Sequence, residues 1–399
     1  MKNLMIIGFV AILLIIPTNI LEASITEESK VDIREEIQKI AEDQLDILDI
    51  DQWNKFNKNL DNYQGSLLAT INFKEMIINL VTGKFELDWK KIYGNFGKVF
   101  FAEIKLNLSF MAKIFAIAIF TGILSNFKTN FSDSTVGELA WIVCYILIVV
   151  LIIQSIIVVL NVGKNTIEQM TSFMQILFPA LLALLIGMGG IASSGIMQPA
   201  TVLLTGVTGI FLKNIMLPLI FLSTILVLIS NINDNISLEN LSKLTRNICS
   251  WVLGIVFTIF IGVLSVQGII AASFDGVSIR TTKYAIETFV PVVGKMFSQT
   301  VDVIISSSLM LKNAVGVVGL MVSISICIYP ILKILSLMAI YKLSSALLEP
   351  ISDKRVVNCL NEICSVLVIL LVTLLGITIL FFLTIALLIG LGNITVMMR

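Results

Sequence analysis

The chain has 399 residues, of which 57% are hydrophobic and 14% charged, with 27 basic and 27 acidic side chains. A mean hydropathy of +0.98 marks an integral membrane protein, and the charge balance offers neither a basic excess for nucleic acid nor an acidic solvating tail. Histidine is absent, which removes the commonest general base, the commonest zinc ligand and every Ser-His or Cys-His nucleophile pair.

The first 24 residues, MKNLMIIGFVAILLIIPTNILEAS, have one lysine, an apolar run, Pro17 and a small residue at Ala23, the layout of a signal peptide over 1–23. Cleavage after Ala23 is expected, although Leu21 fits the small-x-small rule poorly. Residues 24–105 then form the one extended polar region. Between Glu27 and Asp61 acids outnumber bases eleven to five, and Val31, Ile33, Ile37, Ile40, Leu45 and Leu48 recur at helical spacing. Aromatics alternate with lysines in FELDWKKIYGNFGKVFFAEIKLNL (85–108), which suits a small helical module or an interfacial helix. An exported, acidic and amphipathic helical region is the expectation.

Beyond it the chain is nearly all membrane. Apolar stretches at 106–126, 139–160, 174–194, 200–230, 250–272, 290–311, 314–341 and 363–391 each supply the roughly twenty residues that a bilayer requires. The expected fold is all-α and polytopic, with seven or eight spans. Residues 106–160 hold the first two. Lys213, Asn214 and Pro218 inside the fourth suggest a kink, a broken helix or a re-entrant hairpin. Lysines and arginines divide six to five between the two sides, so orientation rests on the signal peptide.

An internal repeat organises the remainder. Pro179 and Pro218 map onto Pro291 and Pro330 at an offset of 112, while NISLENLSKLTRNICSW (235–251) maps onto PISDKRVVNCLNEICSV (350–366) at 115. Residues 174–272 form the first copy and 286–391 the second. Three spans per copy would invert the second, as in many transporters. The tripeptide LKN at 212 and at 311 breaks this register.

FVPVVGKMFSQTVDVIISSSLMLKN (289–313) is the most polar of the spans. On a helix Lys295, Ser298, Gln299, Asp302 and Ser306 fall on one stripe, with apolar residues around the rest. Charge at the bilayer centre costs about 2.5–3.5 kcal/mol, so Lys295 and Asp302 should face protein or water. The stripe lines a pore, packs in a helix contact, or belongs to a surface helix. Lys312 lies off it and is expected to snorkel to the headgroups. The first copy carries small or apolar residues on the equivalent face, and Gly187, Gly189 and Gly190 there suit close helix packing or an unwound segment.

Cys144, Cys249, Cys327, Cys359 and Cys364 sit in or beside apolar segments and read as packing residues. No phosphate loop, dinucleotide fingerprint, metal-ligand cluster or intramembrane acid pair is present. The sequence therefore points to no enzyme, no catalytic or metal residues and no cofactor.

The order of these features resembles the stage III sporulation protein AE family of endospore-forming bacteria. The more specific parts are TGKFELDWKKIYGNFGKVFFAEIKLNLSF (82–110), FPALLALLIGMGGIASSGIMQPA (178–200) and FVPVVGKMFSQTVDVIISSSLMLKNAVGVVG (289–319). The resemblance implies a multi-pass protein of the mother-cell membrane around the forespore, within a secretion-like channel complex that joins the two cells and supports late forespore gene expression. It implies as partners the other proteins of the operon, among them a cytosolic ATPase and ring-forming intermembrane proteins, with the forespore Q protein opposite. Membrane lipid is a further partner, and a homo-oligomer is left open. Two alternatives stand beside this: a secondary transporter acting alone on the inverted repeat, and a scaffold that recruits channel partners.

Overall fold

A computed structural model describes residues 73–83, 85, 89–128, 134–232, 238–289 and 294–397. Every regular element among them is helical: α1 Phe73–Val81, α2 Trp89–Lys128, α3 Ser134–Gly187, α4 Ile191–Phe211, a π-helical turn Leu212–Met216, α5 Leu217–Ser230, α6 Glu239–Phe289, α7 Gly294–Leu348 and α8 Lys354–Met397. Hydrocarbon offers no partner to a backbone amide, so long apolar runs satisfy their hydrogen bonds internally as helices. Hydroxyls within them do likewise: Thr201, Thr205, Thr224, Thr378 and Thr384 each donate to the carbonyl four residues back.

Among the described residues six helical segments are long and apolar enough to cross a membrane: Gly97–Ile123, Leu139–Gly187, Ile191–Ser230, Glu239–Ala271, Ile305–Leu348 and Lys354–Asn393. This corrects the expected seven or eight spans. Those at 139–160 and 174–194 join in α3, and those at 290–311 and 314–341 join in α7. The polar residues between each pair, Lys164 to Glu168 and Lys312 to Asn313, remove hydropathy without breaking a helix. Gly163 packs tightly against Leu370, with its backbone still helical. The true break falls at 188–190, where Gly189 takes a φ of 90°, a left-handed conformation that a side chain would oppose.

Proline marks these helices less than its chemistry suggests. Pro179 and Pro330 lie inside α3 and α7 without ending them, and Pro291 lies outside the described residues. Pro218 stands in the first turn of α5, directly after the π turn, where the Leu217 amide donates five residues back to Leu212. Proline removes one amide donor and crowds the preceding carbonyl, and a widened turn accommodates both. The kink expected near Lys213, Asn214 and Pro218 takes this form.

α7 and α8 form the centre of the bundle, with α2, α3 and α6 packed around them and α1 laid against α7. Tyr145, Phe173, Phe178, Tyr341 and Phe381 are fully buried there. Glycine permits the closest approaches: Gly122 meets the Ile351 carbonyl and Gly376 lies under the Phe257 ring, with no room for a Cβ at either. Peripheral α6 turns Trp251, Ile259 and Ile269 outward, as lipid-facing surface requires.

Candidate functional site

The polar stripe expected at 295–306 lies at the start of α7. The side chains of Lys295, Ser298, Gln299 and Asp302 are outside the described residues, and Ser306 is exposed. Backbone placement is informative nonetheless. Lys312 contacts α8 at Ile389 and Gly392, and Met188 of the α3–α4 break approaches the same glycine. The stripe therefore begins above that level, and the 17 residues from Lys312 back to Lys295 rise about 26 Å. The glycines come to the same place from α3: Gly187 approaches the Ser308 hydroxyl, and Gly190 packs against Leu185.

Lys312 does not snorkel. It is 0% exposed, and its ammonium donates to the Ile389 carbonyl at 3.3 Å. A Cβ on Gly392 would land on its Nζ, so the bare glycine makes the space that the ammonium fills. Beside it the Asn313 amide donates to Asn393 Oδ1 at 3.3 Å, while Asn313 Oδ1 has no hydrogen-bond partner. Among the described residues no carboxylate pairs with Lys312. A buried cation is tolerated where carbonyls and amides replace its water.

Among the described residues three ion pairs join other helices within the apolar spans. Lys333 of α7 approaches Glu103 of α2 at 4.0 Å and donates to the Tyr329 hydroxyl at 3.2 Å. Arg246 of α6 faces Glu362 of α8 at 3.9 Å, with 13% and 18% of the side chains exposed. One nitrogen of that arginine and one oxygen of that glutamate lack a hydrogen-bond partner. Lys213 of the π turn meets Glu168 of α3 at 2.5 Å, and this pair is open, at 35% and 43% exposed.

The end of the bundle opposite the 188–190 break is tied by polar and aromatic contacts. Arg355 lies over the Trp141 ring at 4.8 Å, and Trp141 stacks on Tyr145 at 5.3 Å. The Tyr145 hydroxyl donates to the Leu228 carbonyl at 2.8 Å, and the Ser352 hydroxyl to the Ala118 carbonyl at 2.9 Å. Taken together, these groups offer charge and hydrogen bonds between apolar helices, the chemistry of holding a bundle and of passing or excluding polar solutes.

Sequence reasoning concentrates charge in α7 and misses the opposed pair Glu168–Lys213 and the sealed Lys312. Both can be found by treating 161–173 and 312–313 as continuous helix, because each polar residue then takes a defined face.

Comparison with known proteins adds the relationship. Residues 71–392 match the family model described as stage III sporulation protein AE. Over 403 aligned residues, covering 100% of both chains, the sequence is 34% identical to the stage III sporulation protein AE of Bacillus subtilis (strain 168). No solved structure matches.

Proposed function

The chain belongs to the stage III sporulation protein AE family, and from that premise we propose that it is the polytopic membrane component of a sporulation-specific channel linking mother cell and forespore. On this reading it sits in the mother-cell membrane around the forespore. A cleaved signal peptide delivers the region ahead of the Gly97–Ile123 span to the intermembrane space, where ring-forming partners and the forespore Q protein lie, and a cytosolic ATPase works from the other side. Late forespore gene expression and spore formation then depend on it.

The observation that carries the reading is ionisable side chains inside apolar spans, with Lys312 sealed and Glu168–Lys213 open. Such groups are costly in hydrocarbon and mark solute paths more often than simple anchors. The test is complementation. Cells lacking the chain should lose late forespore reporter expression, and Glu168→Leu combined with Lys213→Leu should fail to restore it although the protein accumulates in the membrane. Full restoration by that double variant would favour the scaffold. Solute uptake by the isolated chain in vesicles would favour the lone transporter, for which the helix break at 188–190 and the π turn are the supporting features.

A further inference from the structure

The exposed face of α3 carries a long polar run. Gln154, Asn161, Lys164, Ser172 and Gln175 are all exposed and Glu168 is partly so. At 100° per residue these six fall within an arc of about 80°. Ile157 is the only apolar residue in that arc between 154 and 175. The opposite arc is core: Ile156, Ile167, Met170, Phe173 and Met174 are at most 2% exposed. From Gln154 to Gln175 the helix rises about 32 Å, close to the roughly 30 Å of a bilayer's hydrocarbon.

Apolar surface adjoins the stripe both along α3 and across to α4. Further along the same face, toward the α3 N-terminus, Val143, Ile146, Leu147 and Val150 are exposed and apolar. At the height of the Glu168–Lys213 pair, Val207 and Ile210 of the neighbouring α4 are also exposed and apolar. A polar face of bilayer length therefore stands beside apolar outward surfaces, and charge facing lipid at depth costs about 2.5–3.5 kcal/mol per group. Nor does the interior of the described bundle supply the water: α7 and α8 meet through Val315, Val318, Leu374, Ile377, Phe381 and Ile385, all 0% exposed.

We propose that this α3 face lines a water-filled conduit enclosed by several copies of the chain, and that the conduit favours anionic solutes. Neighbouring copies meet on the apolar flank of α4, at Val207 and Ile210, and leave the stripe facing the axis. The sign follows from the belt itself. Lys164 and Lys213 set two ammonium groups against the single Glu168 carboxylate, so each copy adds net positive charge at one level, the arrangement that selects anions in pores. The proposal rests on the channel reading and specifies where in the chain the path lies.

The test is cysteine accessibility in membranes from sporulating cells holding the full-length chain and its partners. The background replaces the five native cysteines with alanine. Should that chain not accumulate, the native one serves, since four of its cysteines are buried. Asn161→Cys, Ser172→Cys and Gln175→Cys should react with small water-soluble methanethiosulfonates, as should the aqueous control Lys354→Cys, whereas Leu203→Cys should not. Relative to a free thiol, the anionic reagent should outpace the cationic one at Ser172→Cys, and Lys164→Glu should reverse that order. Val207→Cys should form disulfides between copies on oxidation.

Stripe positions as unreactive as Leu203→Cys would overturn the conduit, and unchanged charge preference in Lys164→Glu would overturn the selectivity. A chain that migrates as a single copy after oxidation of Val207→Cys would remove the shared axis. None of these outcomes touches the channel reading itself, which is tested separately by complementation of cells lacking the chain.

Discussion

Two charged sites inside the same bundle are held in opposite ways. Lys312 is sealed between α7, α8 and the α3–α4 break, with a glycine shaped to its ammonium, while Glu168 and Lys213 pair on the outside of the bundle with more than a third of each exposed. A sealed charge depends on every neighbour that replaces its water. An open one depends on whatever fills the space beside it, so its energetics should be weak in the isolated protein and its importance should show in function.

Substitutions can separate these cases. The largest effect is expected at the nearly sealed pair: Arg246→Met leaves Glu362 buried without its cation and should destabilise the detergent-solubilised protein by about 3–5 kcal/mol, read as a lowered melting temperature. Gly392→Val puts a side chain where the Lys312 ammonium lies, and overpacking of that kind costs about 1–3 kcal/mol. Lys312→Met should then be neutral or stabilising, because an apolar group of similar length replaces a desolvated charge. If Lys312→Met melts earlier than the parent, the lysine holds the bundle together through its hydrogen bond and the contrast between the two sites is reversed.

Smaller effects belong to a single buried hydrogen bond and to the open sites. Tyr145→Phe removes the donor to the Leu228 carbonyl and should cost about 1 kcal/mol. Lys213→Met should change stability by less than about 1 kcal/mol, as half-exposed ion pairs do, yet it should lower late forespore expression. Lys243→Ala, which breaks an exposed pair with Glu239, should leave both stability and function nearly unchanged. Equal functional loss from Lys213→Met and Lys243→Ala would erase the distinction between the belt and ordinary surface charge.

Much of the architecture is legible in the order of residues alone. Apolar stretches locate the six membrane-length helices among the described residues, and the unusual character of 212–218 is evident from Lys213, Asn214 and Pro218. Helix continuity is not legible in this way. Polar residues at 161–169 and 312–313 lower hydropathy as a loop would, but hydropathy measures transfer from water and says nothing of backbone conformation. A loop assumed there divides Gln154, Asn161 and Lys164 from Ser172 and Gln175, and so hides the 3.6-residue period of the α3 face although each member is in plain view. The expectation that Lys312 reaches the headgroups fails for a different reason. Snorkelling requires a route to the interface, and Lys312 is instead fully buried against α8, its ammonium on the carbonyl of Ile389, 77 positions away in the chain.

The π turn at Leu212–Met216 has a geometric consequence for everything after it. One additional residue in a helical turn shifts the phase of the following side chains by about 100°. Before the turn, Gly209 lies against Thr171 of α3; after it, α5 packs far less on α3 and takes α8 as a neighbour. Exposed positions move with the same slip, from Val202, Leu203 and Ile210 before it to Ile215, Leu222 and Ile229 after it. The slip in exposed positions matches the phase that the wide turn adds, so both halves of the rod keep one outward face, and deleting one residue from 212–216 would close the turn into regular α-helix with that face still aligned.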